Sequence, residues 1–335
     1  MANYTISPER SMLHGKFSPE HAPVLTIQSG DRVTYSTLDA AWNLPPEAHR
    51  AATDTPVKFE PRHPENDQGH ALCGPIAIAG AEPGMTLEIV IEEVRPARRG
   101  WTSAGGWKHP VHVRLGLTES ETMFVWTLDA DAGTGRNQHG HEVTLHPFMG
   151  VMGMPPNEPG YHSTAPPRVT GGNLDCKELT AGTSLFLPIA VPGGLFSVGD
   201  GHAAQGDGEV CVTAIECPME RVALTFRLHP GLALTSPRAL TPTAWITFGV
   251  HEDLQEATYL ALDAMLGLIG EQYGVERGEA LALASVVVDM RVTQIVNGVR
   301  GVHAVLPHGA IRKMDGSIRK TDGAIPEMDG VAATA

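Results

Sequence analysis

Glycine and proline set the terms for this chain. With 37 Gly and 26 Pro spread through 335 residues, no long helix can form over most of its length. Between the breaks lie brief apolar or alternating runs: 23–40 (PVLTIQSGDRVTYSTLDA), 74–94, 123–129, 183–200, 209–216 (EVCVTAIE) and 221–228. Short strands separated by Gly/Pro turns predict a sandwich- or barrel-like β body. The period changes once. In residues 252–273, Leu254, Ala257, Leu260, Ala261, Ala264, Met265, Leu268 and Ile269 recur at helical spacing. The acidic pair Glu252 and Asp253 suits the start of that helix and Gly274 its end. A second helix is expected over 276–287 and a strand over 291–297. The fold class is therefore β-rich α+β, with a helical segment near the C-terminus.

At roughly 150 residues per domain the length suggests about two domains. We place a β-rich N-terminal domain at 1–150 and a second β domain, carrying the helices, at 151–308. Residues 309–335 form a repetitive tail. Its units start at Gly309, Gly316 and Gly323 and each reads G-[AS]-I-x-x-x-D. A glycine in every unit argues against a coiled coil. The tail is either an extended arm on another subunit or an unfolded appendage.

Charge narrows the function. The 24 Lys+Arg against 38 Asp+Glu give a net charge of −14, which disfavours nucleic acid and anionic membranes as partners. No window approaches 18 consecutive apolar residues, and the N-terminus lacks the apolar region of a secretory signal, so a cytoplasmic protein is expected. Cys73, Cys176, Cys211 and Cys217 show no CxxC spacing and read as reduced thiols. Cys211, flanked by Val210 and Val212 in an expected strand, reads as a buried small side chain. There is no G-x-S-x-G, H-E-x-x-H, phosphate-binding loop or dinucleotide fingerprint.

The densest polar cluster is 199–209, GDGHAAQGDGE. Asp200 and His202 stand two apart, so on an extended segment they share one face; Asp207 and Glu209 repeat the spacing. The four residues between the pairs can turn the chain and bring both together. Carboxylates plus imidazole suit a borderline divalent cation such as zinc, while Gly-Asp-Gly also occurs in calcium loops. Spacing alone leaves a metal loop and an ordinary turn open. Asn173 and Asp175, in GGNLDCKEL (171–179), read equally as turn formers. His70, just before an apolar run, reads as a ligand or as a packed histidine.

At these residues the sequence resembles the acetamidase/formamidase family. Residues 171–216 are similar to its long signature, a GGN-x-D element, a G-T-x-L-x-LP strand and F-S-x-GD-x-HAAQGDGE. Residues 23–40, 70–89, 146–156 and 291–307 resemble further stretches. Met85 departs from the usual Asp of the hairpin, and Val212 stands where small residues are common. The resemblance implies hydrolysis of short aliphatic amides to carboxylate and ammonia by a homo-oligomer, with zinc or another divalent cation, calcium included, as cofactor. On that reading His70, Asp200 and His202 are the expected metal ligands and Glu209 or Asp207 the acid/base. Asn173, Asp175 and Gln205 are the expected substrate contacts. A lactam or larger amide is the alternative substrate. A β protein that binds metal or a small ligand without turnover is the alternative outside catalysis. The backbone N–H groups of Gly206-Asp207-Gly208 are candidates for oxyanion stabilisation.

Overall fold

The computed structural model describes residues 1–45 and 56–312. Two large sheets face each other. The first has nine strands in the order Asn3–Ile6, Arg32–Tyr35, Met219–His229, Thr86–Pro96, Ser184–Pro188, Arg238–Leu240, Ala244–His251, Arg300–Pro307 and Asp289–Gln294. The second runs Gly171–Asn173, Phe148–Gly153, Phe196–His202, Leu72–Ile78 and Leu13–His14, with Leu25–Ile27 also pairing to Leu72–Ile78. Alternation explains why they stack. Leu87 and Ile89 pair with Leu187 and Leu185, Ile91 pairs with Leu224, and all turn inward, where they share one core with Ile76, Ile78, Met152, Phe196 and Val198 of the facing sheet. The body is the expected β-sandwich. The boundary expected near residue 150 falls inside the strand Phe148–Gly153, and both sheets combine strands from either side of it.

The expected helices run Leu254–Tyr273 and Arg277–Val287. Asp253 caps the first by accepting from the N–H groups of Gln255 and Glu256, and Gly274 ends it with φ 62°. Ala257, Ala261, Met265, Leu268 and Ile269 are buried against Phe186, Trp245, Val302, Ala304 and Leu306, the outer face of the nine-stranded sheet. Leu254 and Leu260, expected on that stripe, are instead exposed. Small residues decide which side docks, because the helix lies almost on the strand backbone. A Cβ at Gly249 would sit 2.0 Å from the Ala257 carbonyl oxygen and 2.5 Å from the Ala261 nitrogen. The Thr247 hydroxyl fixes the approach by donating to the Ala261 carbonyl at 2.8 Å. Gly249→Ala should therefore lower folding stability by about 2–3 kcal/mol, since backbone cannot give way as a side-chain tip can. An unchanged denaturant midpoint would show that the helix can slide off the strand at no cost.

The segment 209–216, expected as a strand, is a loop. Glu209 and Val212 have φ of 46° and 80°, left-handed conformations that break the two-residue alternation, and Val210 is exposed. Cys211 accordingly sits in a turn and is half-buried. An unanticipated short helix, Pro110–Leu115, carried its signals in plain view: His109 as cap, Pro110 in the first turn and Gly116 at the end, φ 71°. The four cysteines are free. Among the described residues, no helix is long and apolar enough to cross a membrane. Ile311, the first isoleucine of the repeats, packs on the chain's own helical cluster. The arm expected beyond it lies outside the described residues.

Candidate active site

The polar cluster sits in the six-stranded sheet, where Phe196–His202 runs between Phe148–Gly153 and Leu72–Ile78. Phe148 pairs with His202, Met149 with Gly201 and Val151 with Gly199. Gly150, opposite Asp200, leaves the space. A Cβ there would meet Asp200 Oδ2 at 2.6 Å, Asp175 Oδ1 at 2.7 Å and His202 Cε1 at 2.9 Å. Three functional side chains thus converge over one glycine. Asp175, Asp200 and Glu209 have φ of 50°, 60° and 46°, so three of the site's acids hold a conformation that non-glycine residues rarely adopt. Backbone strain of this kind persists only where surrounding structure enforces it.

His202 is the hub. Its Nε2 lies 3.3 Å from Asp200 Oδ1 and 3.2 Å from Glu216 Oε2, and its Nδ1 lies 3.9 Å from Asp175 Oδ1. Gln205 orients the ring: its Oε1 is 2.9 Å from His202 Nδ1, while its Nε2 donates to the Asp175 carbonyl at 2.7 Å. With Nδ1–H donating to Gln205, Nε2 is the nitrogen turned to Asp200 and Glu216. Phe148 packs edge-on against the imidazole, 5.1 Å between centroids. The other oxygen of Asp175, Oδ2, accepts from Asn297 Nδ2 at 2.7 Å, and Glu209 Oε2 lies 3.5 Å from that same nitrogen.

Four atoms of this group are buried without a hydrogen-bond partner: Asp175 Oδ1, Asp200 Oδ1, His202 Nε2 and Glu216 Oε2. Orphaned buried polar atoms are costly and rare, and four of them on His202 and the acids around it call for a partner. The donor atoms of Asp175, Asp200 and His202 lie within 4.8 Å of one another, and so do those of His202, Glu209 and Glu216. These residues could hold a metal ion.

The electrostatics agree. Burial alone would lower the His202 pKa, but the charges of Glu216 and Asp200 outweigh it and push it well up. Burial, reinforced by the Asp200 charge, raises Asp175 to about 7. Burial likewise pushes up Asp200, yet the charges of His202 and His70 prevail and leave it below the usual carboxylate range. Glu209 is held well above its ordinary value by burial and by the neighbouring Asp175, and Glu216 is raised by burial and by Asp200. Four buried carboxylates around one imidazole leave an excess of negative charge. That excess is what a divalent cation would neutralise.

The family model for the acetamidase/formamidase family matches residues 3–163 and 160–309. The chain belongs to the acetamidase/formamidase family. An acetamidase of Mycolicibacterium smegmatis is 51% identical over a match covering 42% of this chain and 49% of that one. Among solved structures, a predicted acetamidase/formamidase of the thermophile Thermoanaerobacter tengcongensis superposes with a TM-score of 0.78 at 25% identity, over 92% of this chain and 96% of that one. An acetamidase of Bacillus halodurans does so with a TM-score of 0.76 at 26% identity, over 90% and 97%. The chain spans 60% or less of the length of the curated relatives it matches.

Within this family member, the residues anticipated from sequence divide cleanly. Asp175, Asp200, His202 and Glu209 come together in the site, and Gln205 joins as the residue that orients His202. Asp207 does not: its carboxylate turns outward to Lys177 Nζ at 3.0 Å. The two-residue alternation that would have aligned it with Glu209 fails because Glu209 is not extended. Asn173 is buried nearby, but its Nδ2 donates to the Ala165 carbonyl at 3.0 Å. His70 stays outside this cluster of donors, and its Nδ1 bonds Thr164 Oγ1 at 2.9 Å. It is in neither donor group. The Gly208 N–H, a candidate for oxyanion stabilisation, is already donated to the Thr293 carbonyl at 3.0 Å. Glu216 and Asn297 were missed. Glu216 faces His202 through an isolated β-bridge, with its second oxygen, Oε1, accepting from the Ala214 N–H at 2.9 Å.

Proposed function

We propose that this protein hydrolyses short aliphatic amides to carboxylate and ammonia, with zinc held by His202, Asp200, Glu216 and Asp175. The single observation that carries the reading is the four unpartnered buried donor atoms on residues of two donor groups that share His202, in a chain of this family. One imidazole nitrogen with carboxylate oxygens suits zinc. Calcium takes six to eight oxygens, and the His202 nitrogen is out of place in such a set.

When bound, the cation supplies Lewis acidity, which polarises an amide carbonyl and acidifies water. The rest falls to the chain. Gln205 fixes the His202 tautomer, so Nε2 points at the centre and Nδ1 is occupied. Asn297, within reach of both Asp175 and Glu209, keeps these two acids side by side. Two carboxyl groups this close and this buried do not both ionise readily, so Glu209 retains a proton near neutral pH. That proton is placed for the leaving nitrogen. Water adds its oxygen to the carbonyl carbon and loses a proton, the C–N bond breaks, the nitrogen departs as ammonia after taking a proton from Glu209, and the proton lost by water restores Glu209.

Ammonia release from formamide, acetamide and propionamide tests the activity. Chelation should abolish it, and zinc should restore it in proportion to the metal bound. Full turnover in protein shown to be metal-free by elemental analysis would remove the cation from the proposal and leave the amide chemistry standing. No turnover of any of the three amides by fully loaded protein would remove the amide chemistry itself.

A further inference from the structure

Next to the site lies a second group of side chains for which amide hydrolysis has no use. Cys176 and Glu178 belong to the same turn as Asp175, and His303 stands on the strand Arg300–Pro307. Cys176 Sγ, a Glu178 carboxylate oxygen and a His303 ring nitrogen lie within 4.8 Å of one another. The Cys176 thiol donates to Glu178 Oε2 at 3.3 Å, and His303 Nε2 is 3.4 Å from the same oxygen.

The spacing is poor for an ion pair and good for shared coordination. A histidine N–H to carboxylate bond is typically about 2.7–2.9 Å. At 3.4 Å, His303 Nε2 has no hydrogen-bond partner, although the residue is fully buried. Ligands around tetrahedral zinc, at about 2.0–2.3 Å from the ion, are separated by about 3.4–3.6 Å. Both measured edges are close to that. The supports that metal ligands need are also present. His303 Nδ1 is 2.8 Å from Thr293 Oγ1, and donation to that hydroxyl leaves Nε2 with a free lone pair. The other Glu178 oxygen accepts from Arg291 Nη1 at 2.7 Å, which fixes the plane of the carboxylate.

We propose that Cys176, Glu178 and His303 form a second metal site that takes a borderline divalent cation of the zinc type. Thiolate and imidazole select such ions over magnesium or calcium. Binding forms a metal–sulfur bond and releases the Cys176 thiol proton to solvent, with no change in oxidation state. The ion ties the turn carrying Asp175 to the nine-stranded sheet. The proposal shares no residue with the His202 cluster and stands whether or not the protein hydrolyses amides.

Cobalt(II) reports on it directly, because a thiolate ligand gives an intense near-ultraviolet charge-transfer band that oxygen and nitrogen ligands do not. The full-length protein, stripped by chelator and reloaded with cobalt(II), should show this band. C176S should abolish it, while C217S, which removes another free buried thiol, should keep it. Zinc bound per chain should fall by about one equivalent in C176S and again by about one in the double variant with His202→Ala. Cobalt-loaded wild-type protein without the band overturns the site, and so does a band that survives C176S.

Discussion

Glu216→Gln should empty the His202 site of its metal and lower kcat/KM by more than about 100-fold. Partners one step removed from a metal typically cost about 10–100-fold when mutated, and a direct donor should exceed that. Glu216 qualifies on geometry: Oε2 lies 3.2 Å from His202 Nε2, is buried and has no hydrogen bond. The amide keeps the shape, and its oxygen can still accept from the Ala214 N–H, which now meets Oε1 at 2.9 Å. What disappears is one buried negative charge. That predicts a second, opposite effect. In metal-free protein the remaining carboxylates repel one another less, so the stripped variant should melt at or above the temperature of stripped wild type. Elemental analysis and paired melting curves check both halves. Full metal content with full activity would exclude Glu216 as a donor. Lost metal together with a lower melting temperature of the stripped form would mean that its main work is structural.

The contrast between Glu216 and Asp200 shows what a linear reading can reach. Asp200 and His202 lie two apart on a segment that does form a strand, Phe196–His202, and both reach the site although Asp200 itself has φ 60°. Glu216 meets His202 only because the chain, after a loop with two left-handed residues, returns beside the same strand. No periodicity signals that return. The alternation of Val210, Cys211 and Val212 even points the other way, because apolar side chains in an exposed turn imitate a strand. Asp207 and Glu209 failed as a pair for the same reason: their spacing puts them on one face only if the backbone between them is extended. The helix Leu254–Tyr273 was legible at both ends, through Asp253 and Gly274, since capping is local chemistry. Which of its apolar residues would be buried was not, because that depends on Gly249, several residues upstream in another element. Sheet order is non-local too, and both sheets combine strands from the two halves of the sequence.

Glu209→Gln isolates the proton from the charge scaffold. The variant keeps the length and the hydrogen-bonding capacity of the side chain, including acceptance from Asn297 Nδ2, but it cannot give up a proton at neutral pH. If Glu209 protonates the leaving nitrogen, kcat should fall by on the order of 10²–10⁴-fold with KM little changed. Metal content should stay that of wild type, because the four unpartnered atoms belong to Asp175, Asp200, His202 and Glu216. Glu209 does lie near enough to His202 and Glu216 to be a donor itself. The measurement separates the two roles: a variant that loses metal in step with activity makes Glu209 a ligand, and the proton must then come from Asp175, the neighbouring acid held at about 7. Amides with better leaving groups sharpen the distinction. A nitrogen that departs without protonation needs no acid, so an activated anilide should recover much of the lost rate in Glu209→Gln, whereas a site deprived of its cation should stay inactive towards it. The left-handed backbone of Glu209, φ 46°, fits the first role, since strain there holds one carboxyl beside Asp175 at a distance where only one of the two readily ionises.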